Sequence, residues 1–210
     1  MLRRLTILAA ISIAVLRAQQ PSEADLAKLG AQVDKALGVR AGSRVADIGT
    51  GLAIHQPVRI AAEVAPDGKV TCVEVTSEGV ARIQKRIDDE HIANMDVILG
   101  KTDDPLLAPG AFDAILISNS YHEFTEPQAM LKHICDALKP DGTLVVVENY
   151  TITRKSESRA TQVKRHDLEP EILERELTAA GFTVKERLDP VFVNSPERMR
   201  YLVRAGKRNN

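Results

Sequence analysis

A short apolar strand that ends in an acid and leads into a glycine-rich turn constrains this chain most. In the segment Arg44–Ala53, the residues Val45-Ala46-Asp47-Ile48 precede Gly49-Thr50-Gly51. Glycine has no Cβ, so the backbone can turn sharply there and come close to a ligand. A second apolar strand ends at Glu74, 23 residues past Gly51. In a βαβ unit this separation places a carboxylate over a ribose, so the pattern indicates a nucleoside site.

Two nucleoside ligands fit such a unit. A dinucleotide site requires G-x-G-x-x-G, because the pyrophosphate rests on the N-terminus of the helix. The third glycine position of that pattern is occupied by Ile54, so the dinucleotide motif is incomplete. The pattern D-x-G-x-G, from Asp47 to Gly51, instead suits a nucleoside ligand without a phosphate. A further interpretation is a tight turn between strand and helix that binds nothing.

Composition narrows the classes of partner. The 210 residues suit one domain, and a net charge of −1 provides no global field to hold nucleic acid. With four Phe, three Tyr and no Trp, the chain also lacks an aromatic platform for single strands. The five histidines form no close pair in the sequence, and Cys72 and Cys135 are 63 residues apart. We therefore expect no metal site and two buried free thiols.

Residues 1–20 have the features of an export signal. Arg3 and Arg4 provide a basic start, and Leu5 to Leu16 form an uncharged, mostly apolar run that is too short to span a bilayer. We expect an exported or periplasmic protein if this segment is a signal peptide, and a cytoplasmic one otherwise. The alternative is an amphipathic or buried N-terminal helix.

Residues 21–210 are expected to form one domain, with an N-terminal helix at 21–42, a ligand-binding core at 43–148, a polar segment at 149–169, and a C-terminal helix and hairpin at 170–210. Five strands alternate with helical segments, which predicts a doubly wound parallel sheet. The last two strands have no helix between them and should pair antiparallel at the sheet edge. The predicted strands are 44–47, 69–74, 95–99, 111–118, 143–147, 182–188 and 199–205.

These features occur together in one known family. The chain resembles the class I S-adenosylmethionine-dependent methyltransferases, in their small bacterial single-domain form, over about residues 40 to 205. The resemblance implies a mostly parallel seven-stranded α/β sheet of order 3-2-1-4-5-7-6, with an antiparallel last strand and helices on both faces. The matching pieces, in the order of the family, are Val45–Gly51, Glu74, Phe112-Asp113, Leu138–Gly142 and Ala179–Phe182.

The resemblance assigns roles to residues of the cofactor site. It implies that Glu74 accepts hydrogen bonds from both ribose hydroxyls, and that the backbone at Gly49 and Gly51 lines the methionine part. Asp47 would orient the ammonium group of S-adenosylmethionine, and Asn119 would lie on the floor of the site. The product would be S-adenosylhomocysteine.

Two departures concern the rest of the cofactor. Ala53 replaces a glycine often found in the family, which narrows the space for the cofactor slightly. An acid that often holds the adenine amino group is replaced by Lys101. Asp103 or Asp104 is then a candidate for that role, and so is the backbone at Thr102.

The acceptor side offers weaker signals. His122 follows the end of the fourth strand, and histidine is the side chain best suited to accept a proton near neutral pH. His166 is a second candidate, at the end of a polar segment that we expect to act as a lid. Five basic residues of this segment favour a small, anionic or polar acceptor: Arg154, Lys155, Arg159, Lys164 and Arg165.

Two rival functions belong to other classes. One is a non-catalytic domain that binds S-adenosylmethionine or a related nucleoside for sensing or assembly. The other is a nicotinamide-dependent oxidoreductase, which Ile54 and the terminal hairpin disfavour. A capping or packing role is the alternative for His122. The sequence leaves the oligomeric state and the acceptor atom open.

Overall fold

A computed structural model describes residues 23–51 and 54–208 of the chain. The expected export signal at 1–20 and the first two residues of the segment 21–42 lie outside the described residues. None of the helices in these two ranges is both long and apolar enough to cross a bilayer.

Seven strands form one sheet in the order β3-β2-β1-β4-β5-β7-β6, which confirms the predicted fold. Neighbours from β3 to β5 are parallel, and β7 is antiparallel to both β5 and β6. The strands are β1 (Arg44–Ile48), β2 (Lys69–Glu74), β3 (Met95–Leu99), β4 (Phe112–Ser118), β5 (Leu138–Thr151), β6 (Phe182–Val193) and β7 (Arg198–Lys207).

Helices cover the strand connections. They are α1 (Glu23–Leu37), α2 (His55–Val64), α3 (Ser77–Asp89), α4 (Pro127–Ala137), α5 (Arg159–Val163) and α6 (Pro170–Ala179). Two short 3-10 turns lie at Tyr121–Glu123 and Ile152–Arg154. Thr76 caps α3 by accepting a hydrogen bond from the backbone of Gly79, which is a common way to satisfy a free N–H at a helix start.

Pairing with β7 makes the C-terminal strands longer than the sequence predicted. β5 pairs with β7 as far as Thr151, so the first residues of the segment 149–169 are strand rather than loop. β6 continues past Pro190, beyond the predicted strand 182–188, because an irregular register after Leu188 accommodates a residue that cannot donate to the ladder. The segment 149–169 also contains α5, so it is more ordered than the sequence indicated.

Both faces of the sheet are buried, as helices on two sides require. Along β4, Ile115 and Ile117 pack on the face covered by α4 and α6, whereas Ala114 and Leu116 pack on the face covered by α1, α2 and α3. This alternation follows from the two-residue period of a strand. The carboxyl ends of β1, β2, β4 and β5 therefore meet at one edge of the sheet, where ligands of open α/β sheets bind.

Candidate cofactor and acceptor site

The glycine turn after β1 adopts a conformation that other residues rarely take. Gly49 has φ 71° and Gly51 has φ 66°, both in the left-handed region. A Cβ on Gly49 would lie 2.6 Å from Cβ and 2.7 Å from Oγ of Ser120. The Ser120 hydroxyl in turn donates to the carbonyl of Ile48 at 2.8 Å. The turn is therefore packed tightly against the end of β4.

Glu74 lies between the glycine turn and the start of α3. Its Oε1 accepts a hydrogen bond from the backbone N–H of Gly51. Its Oε2 faces the first turn of α3, where a Cβ on Gly79 would lie 2.9 Å away. Because Gly79 has no side chain, space remains for the carboxylate of Glu74. Glu74 is half-buried at the end of β2.

A cavity of about 200 Å³ opens beside Glu74 on one side of the turn. Polar groups line one side of it, and apolar side chains of β2 and α4 and of the segment after β4 line the other. Its lining residues are Ile48, Gly49, Gly51, Val73, Glu74, Val75, Lys101, Thr102, Ser120, Glu123, Phe124 and Met130. Thr102 thus lines this cavity, whereas Asp103 is exposed and lines neither this cavity nor the one across the turn.

A larger cavity of about 740 Å³ lies across the turn, between α1 and the carboxyl ends of the strands. Its volume falls within the range of small-molecule sites, roughly 300–1,000 Å³. It is lined by Leu26, Ala27, Leu29, Gly30, Asp47, Gly49, Thr50, Gly51, His55, Gln56, Pro57, Arg59, Ser118, Asn119 and Arg200. Asp47 and Asn119, both predicted site residues, lie here together.

Asp47 is a buried carboxylate, with 4% of its surface exposed. Burial raises the pKa of Asp47 to about 7, and the negative charge of Glu74 adds to the rise, while a hydrogen bond from Thr50 opposes it. No basic side chain of the described residues pairs with it. A cationic group placed in this cavity would therefore stabilise the ionised form of Asp47.

Asn119 and Arg200, which line the larger cavity, belong to one hydrogen-bond network with Asn149 and Asn194. Asn119 has φ 56°, a left-handed conformation that asparagine tolerates better than most residues, and its N–H donates to Val147 at 2.7 Å. Its Oδ1 accepts from the amide of Asn149. Asn149 Oδ1 accepts in turn from Asn194 at 2.8 Å and from Arg200 Nε at 3.0 Å. This network fixes both Asn119 and Arg200.

His122 is 2% exposed and lies between a carboxylate and a second imidazole. Its Nδ1 donates to Glu148 Oε2 at 2.9 Å, and its backbone N–H donates to Glu148 Oε1 at 3.1 Å. Its Nε2 lies 3.2 Å from Nδ1 of His166. Burial alone would lower the pKa of His122, but the hydrogen bond and charge of Glu148, together with the charge of Glu123, outweigh it and raise the pKa.

The structure thus brings together two histidines that lie far apart in the sequence. Neither His122 nor His166 lines either of the two cavities described above. His122, Glu123 and His166 each offer one ligand atom, and these atoms lie within 4.8 Å of one another, which a divalent cation could bridge. Because the side chains of Glu123 and His166 are mostly exposed, we assign no metal to this cluster.

The basic residues of segment 149–169 are largely committed to ion pairs. Arg154 pairs with the buried Asp167 at 2.9 Å, and Arg159 pairs with Glu176 at 2.8 Å. Lys155 lies 3.8 Å from a carboxylate oxygen of Glu171. The sequence suggested that the five basic side chains of this segment attract an anion. Three of them instead form ion pairs that hold the segment against the rest of the fold.

Two residues that shape this part of the site, Glu148 and Arg200, were not predicted from the sequence. Glu148 could have been found, because it is an acid at the end of a predicted strand, as Asp47 and Glu74 are. Arg200 had no such signal. It lies in an edge hairpin, and its place in the cavity depends on the pairing of β7 with β5.

The fold and the site together define a class. A seven-stranded sheet of this order, with a glycine turn after β1 and an acid at the end of β2, is the class I methyltransferase arrangement, whose cofactor is S-adenosylmethionine. A family model described as a methyltransferase domain matches residues 40–192. The chain belongs to this methyltransferase family, which confirms the resemblance seen in the sequence.

Solved structures agree on the fold. A SAM-dependent methyltransferase from Aquifex aeolicus superposes with a TM-score of 0.72 at 21% identity, covering 91% of this chain and 96% of that one. A phosphoethanolamine N-methyltransferase from Haemonchus contortus, in complex with phosphomonomethylethanolamine and S-adenosylhomocysteine, gives 0.69 at 16% identity and covers 86% and 52%.

The same fold also carries other chemistry. The [4+2]-cyclase SpnF superposes with a TM-score of 0.72 at 19% identity, covering 87% of this chain and 80% of that one. No curated protein matches the chain in a sequence search. At these identities the structural matches establish the fold, and the reaction has to be argued from the site.

Proposed function

We propose that this protein binds S-adenosylmethionine and transfers its methyl group to a small-molecule acceptor. The observation that carries the proposal is the arrangement of Asp47 and Glu74. These two carboxylates flank one glycine turn that separates two cavities. Glu74 suits a ribose in the smaller cavity. Asp47 suits the cationic methionine part in the larger one, because a positive ligand relieves the cost of a buried, unpaired carboxylate.

The reaction is a direct displacement. A lone pair of the acceptor forms a bond to the methyl carbon while the carbon–sulfur bond breaks, and its electrons remain on sulfur in S-adenosylhomocysteine. The sulfonium is already a good leaving group, so the protein needs no covalent nucleophile. Holding acceptor and methyl group in line supplies much of the rate.

The acceptor is proposed to be small because both cavities lie within the domain and are bounded by its own helices. The larger cavity holds Asp47 at one side and Arg200 at the other, with the apolar side chains of Leu26 and Leu29 between α1 and the sheet. The Haemonchus contortus neighbour, whose structure contains phosphomonomethylethanolamine and S-adenosylhomocysteine, supports the proposal of a small acceptor.

We propose His122 as the proton acceptor for substrates that must lose a proton, with His166 as the second candidate. Glu148 supports this role, because it raises the pKa of His122 and thereby makes the imidazole a stronger base. Glu148 also fixes Nδ1 of His122 as the protonated nitrogen, which leaves Nε2 to accept a proton. Because His122 is buried and lines neither cavity, we propose that the proton reaches its Nε2 through His166, which lies next to that nitrogen and reaches solvent.

Calorimetry with S-adenosylmethionine, S-adenosylhomocysteine and NAD tests the cofactor directly. We expect both sulfur ligands to bind and NAD to remain without effect. If a folded protein binds neither sulfur ligand, the proposal fails. Binding without release of S-adenosylhomocysteine from any member of a broad metabolite panel would favour the non-catalytic nucleoside-binding domain.

Glu74→Gln isolates the ribose contact. Removing the charge should weaken S-adenosylhomocysteine binding by about 1–3 kcal/mol, because hydrogen bonds to a charged acceptor are stronger than those to a neutral one. Glu78→Gln, at an exposed position in the first turn of α3, is the matched control and should bind normally. Equal affinities in the two variants would remove the role assigned to Glu74.

A further inference from the structure

Arg200 differs from the other arginines of its strand. Arg198 lies 3.3 Å from the carboxylate of Asp167, and Arg204 lies 3.2 Å from that of Glu186. Arg200, between them in β7, has no carboxylate within ion-pair distance among residues 23–51 and 54–208. Among these residues, the one hydrogen bond of its side chain runs from Nε to Oδ1 of Asn149.

An unpaired guanidinium in this position is energetically unfavourable. Arg200 is half-buried, and burial lowers its pKa, with Glu148 opposing the shift and Arg198 adding to it. Transferring a charge out of water is costly unless a partner of opposite charge is supplied. The fold supplies no such partner, and the side chain lines the larger cavity. A ligand in that cavity could therefore provide the missing negative charge.

The asparagine network holds the guanidinium ready for such a ligand. Asn149 accepts from Nε of Arg200 and is itself held by Asn119 and Asn194. With Nε occupied, the two terminal nitrogens of Arg200 remain for a ligand. Their planar geometry matches two oxygens of a carboxylate or a phosphate, which gives a strong and directional pair of hydrogen bonds.

The position of Arg200 in the sheet favours an anionic group of the methyl acceptor rather than one of the cofactor. Glu74 ends β2, whereas Arg200 lies in β7, which is separated from β2 by β1, β4 and β5. Four strand spacings of about 4.8 Å separate the two strands, roughly 19 Å in all. Asp47, at the end of β1, takes the cationic methionine part between them.

We propose that Arg200 binds a carboxylate or phosphate group of the methyl acceptor, so that the substrate is an anionic small molecule. This inference rests on the proposed methyl transfer for the identity of the ligand. The anion site itself can be tested without any turnover, because simple anions should bind to it.

The first experiment titrates the protein loaded with S-adenosylhomocysteine with methylphosphonate and, separately, with acetate, up to tens of millimolar. Binding is followed by calorimetry and by NMR of the arginine side chains. Wild type should bind at least one of the two anions, and Arg200→Gln should bind it about tenfold more weakly or worse. The anion that binds more tightly to wild type identifies the chemical group that Arg200 recognises. Arg204→Gln, on the same strand, is the control and should behave as wild type.

Several results would overturn the inference. One is the absence of binding of either anion to wild type, and another is unchanged binding in Arg200→Gln. Loss of S-adenosylhomocysteine affinity in Arg200→Gln, as measured in the absence of added anions, would place the carboxylate of the cofactor at Arg200 instead. If the Gln variant does not fold, Arg200→Lys serves, since it keeps the charge but loses the paired geometry and should give an intermediate affinity.

The acceptor itself provides the second experiment. Acids that release S-adenosylhomocysteine are compared with their uncharged methyl esters. For an active acid, Arg200→Gln should raise KM by about tenfold and change kcat much less, because the contact lies away from the reacting atom. Equal activity with acid and ester would contradict the assignment of Arg200. Failure of wild type to bind S-adenosylhomocysteine would instead remove the proposed function, and anion binding to the unliganded protein would still test Arg200.

Discussion

Two buried carboxylates at the ligand edge of the sheet have opposite surroundings. Asp47, near the carboxyl end of β1, has no cationic partner in the described residues and faces a cavity. Glu148, at the level of the same edge in β5, is fully buried and bonded to the ring and backbone of His122. In the β1–β2 half of the site, the charge of Asp47 is thus available to a ligand. In the β4–β5 half, the charge of Glu148 is paired with His122 within the protein.

The difference shows where ligand binding is coupled to stability. A carboxylate buried without a partner costs free energy until a cation arrives, so Asp47 lowers the stability of the unliganded fold. The Glu148–His122 pair instead needs both members, since removing one leaves the other buried and unpaired. Arg200, in β7 next to β5, is an exception to this pairing, and there too the missing partner indicates a ligand.

The largest effect is expected from Asp47→Asn. The folded pKa of about 7 lies above the ordinary value of 3.8, so ionisation of Asp47 costs stability as pH rises through this range. Removing the charge should raise the free energy of unfolding of the unliganded protein by up to about 4 kcal/mol at pH 8. The substitution should change the free energy of unfolding little at pH 4. Urea unfolding at the two pH values measures both.

The same variant should bind S-adenosylmethionine more weakly, because the ligand loses the carboxylate that its positive charge faces. Asp113→Asn is the matched control, and its expected effect on stability has the opposite sign. Burial raises the pKa of Asp113, but the backbone of Arg44 and the ammonium of Lys139 outweigh it and lower the pKa. Its stabilising effect is lost as pH falls, so Asp113→Asn should destabilise the protein at pH 8. A loss of stability in Asp47→Asn at pH 8 would contradict the comparison.

His122→Ala is expected to have the next largest effect. Turnover of a proton-losing acceptor should fall by about 10²-fold or more, while S-adenosylhomocysteine binding stays intact. His122 must be neutral to accept a proton, and its pKa is raised, so activity should decline on the acidic side from a higher pH than for an ordinary histidine. Glu148→Gln should shift that decline to lower pH, because burial then dominates.

The charged groups that face His122 are Glu148 from β5, Glu123 from its own turn, His166 from the segment before α6, and Arg198 from β7. His133→Ala, at an exposed position in α4, is the control and should retain full turnover. Turnover that hardly changes in His122→Ala between about pH 6 and 9 would make His122 a structural residue.

The smallest effect is expected from Gly79→Ala. The new Cβ would lie 2.9 Å from Glu74 Oε2 and 3.0 Å from Thr76 Oγ1, so the carboxylate must move away. We expect S-adenosylhomocysteine affinity to fall by about two- to tenfold. Alanine favours the helix, so stability should rise by up to about 1 kcal/mol. Calorimetry and thermal unfolding separate the two effects.

Gln84→Ala, at an exposed position of the same helix, provides the control for helix propensity alone. It should leave ligand affinity unchanged. If Gly79→Ala binds as tightly as wild type, the carboxylate of Glu74 has more freedom than the structure indicates, and its position is not set by the start of α3.

The sequence by itself determined the sheet and its cofactor half. Strand periods, turn residues and the terminal hairpin predicted a doubly wound parallel sheet with an antiparallel pair at its edge, and the resemblance to class I methyltransferases implied the order 3-2-1-4-5-7-6, which the structure confirms. Asp47, Gly49, Gly51 and Glu74 could be predicted as a site because each lies at or just past the carboxyl end of a strand. In a parallel sheet these ends meet at one edge, so short local patterns suffice to place them.

Only the tertiary structure decided the acceptor half. The contact between His122 and His166, the buried Glu148 and the unpaired Arg200 all depend on β5 pairing with β7 and on the segment 149–169 folding back over them. Such contacts join residues that are distant in the sequence. A local pattern marks Glu148 as an acid at a strand end, but it does not encode the contact of Glu148 with His122. The sequence shows how many charged residues the segment 149–169 contains. It does not show which of them form ion pairs, because an ion pair forms only where the folded chain brings two side chains together.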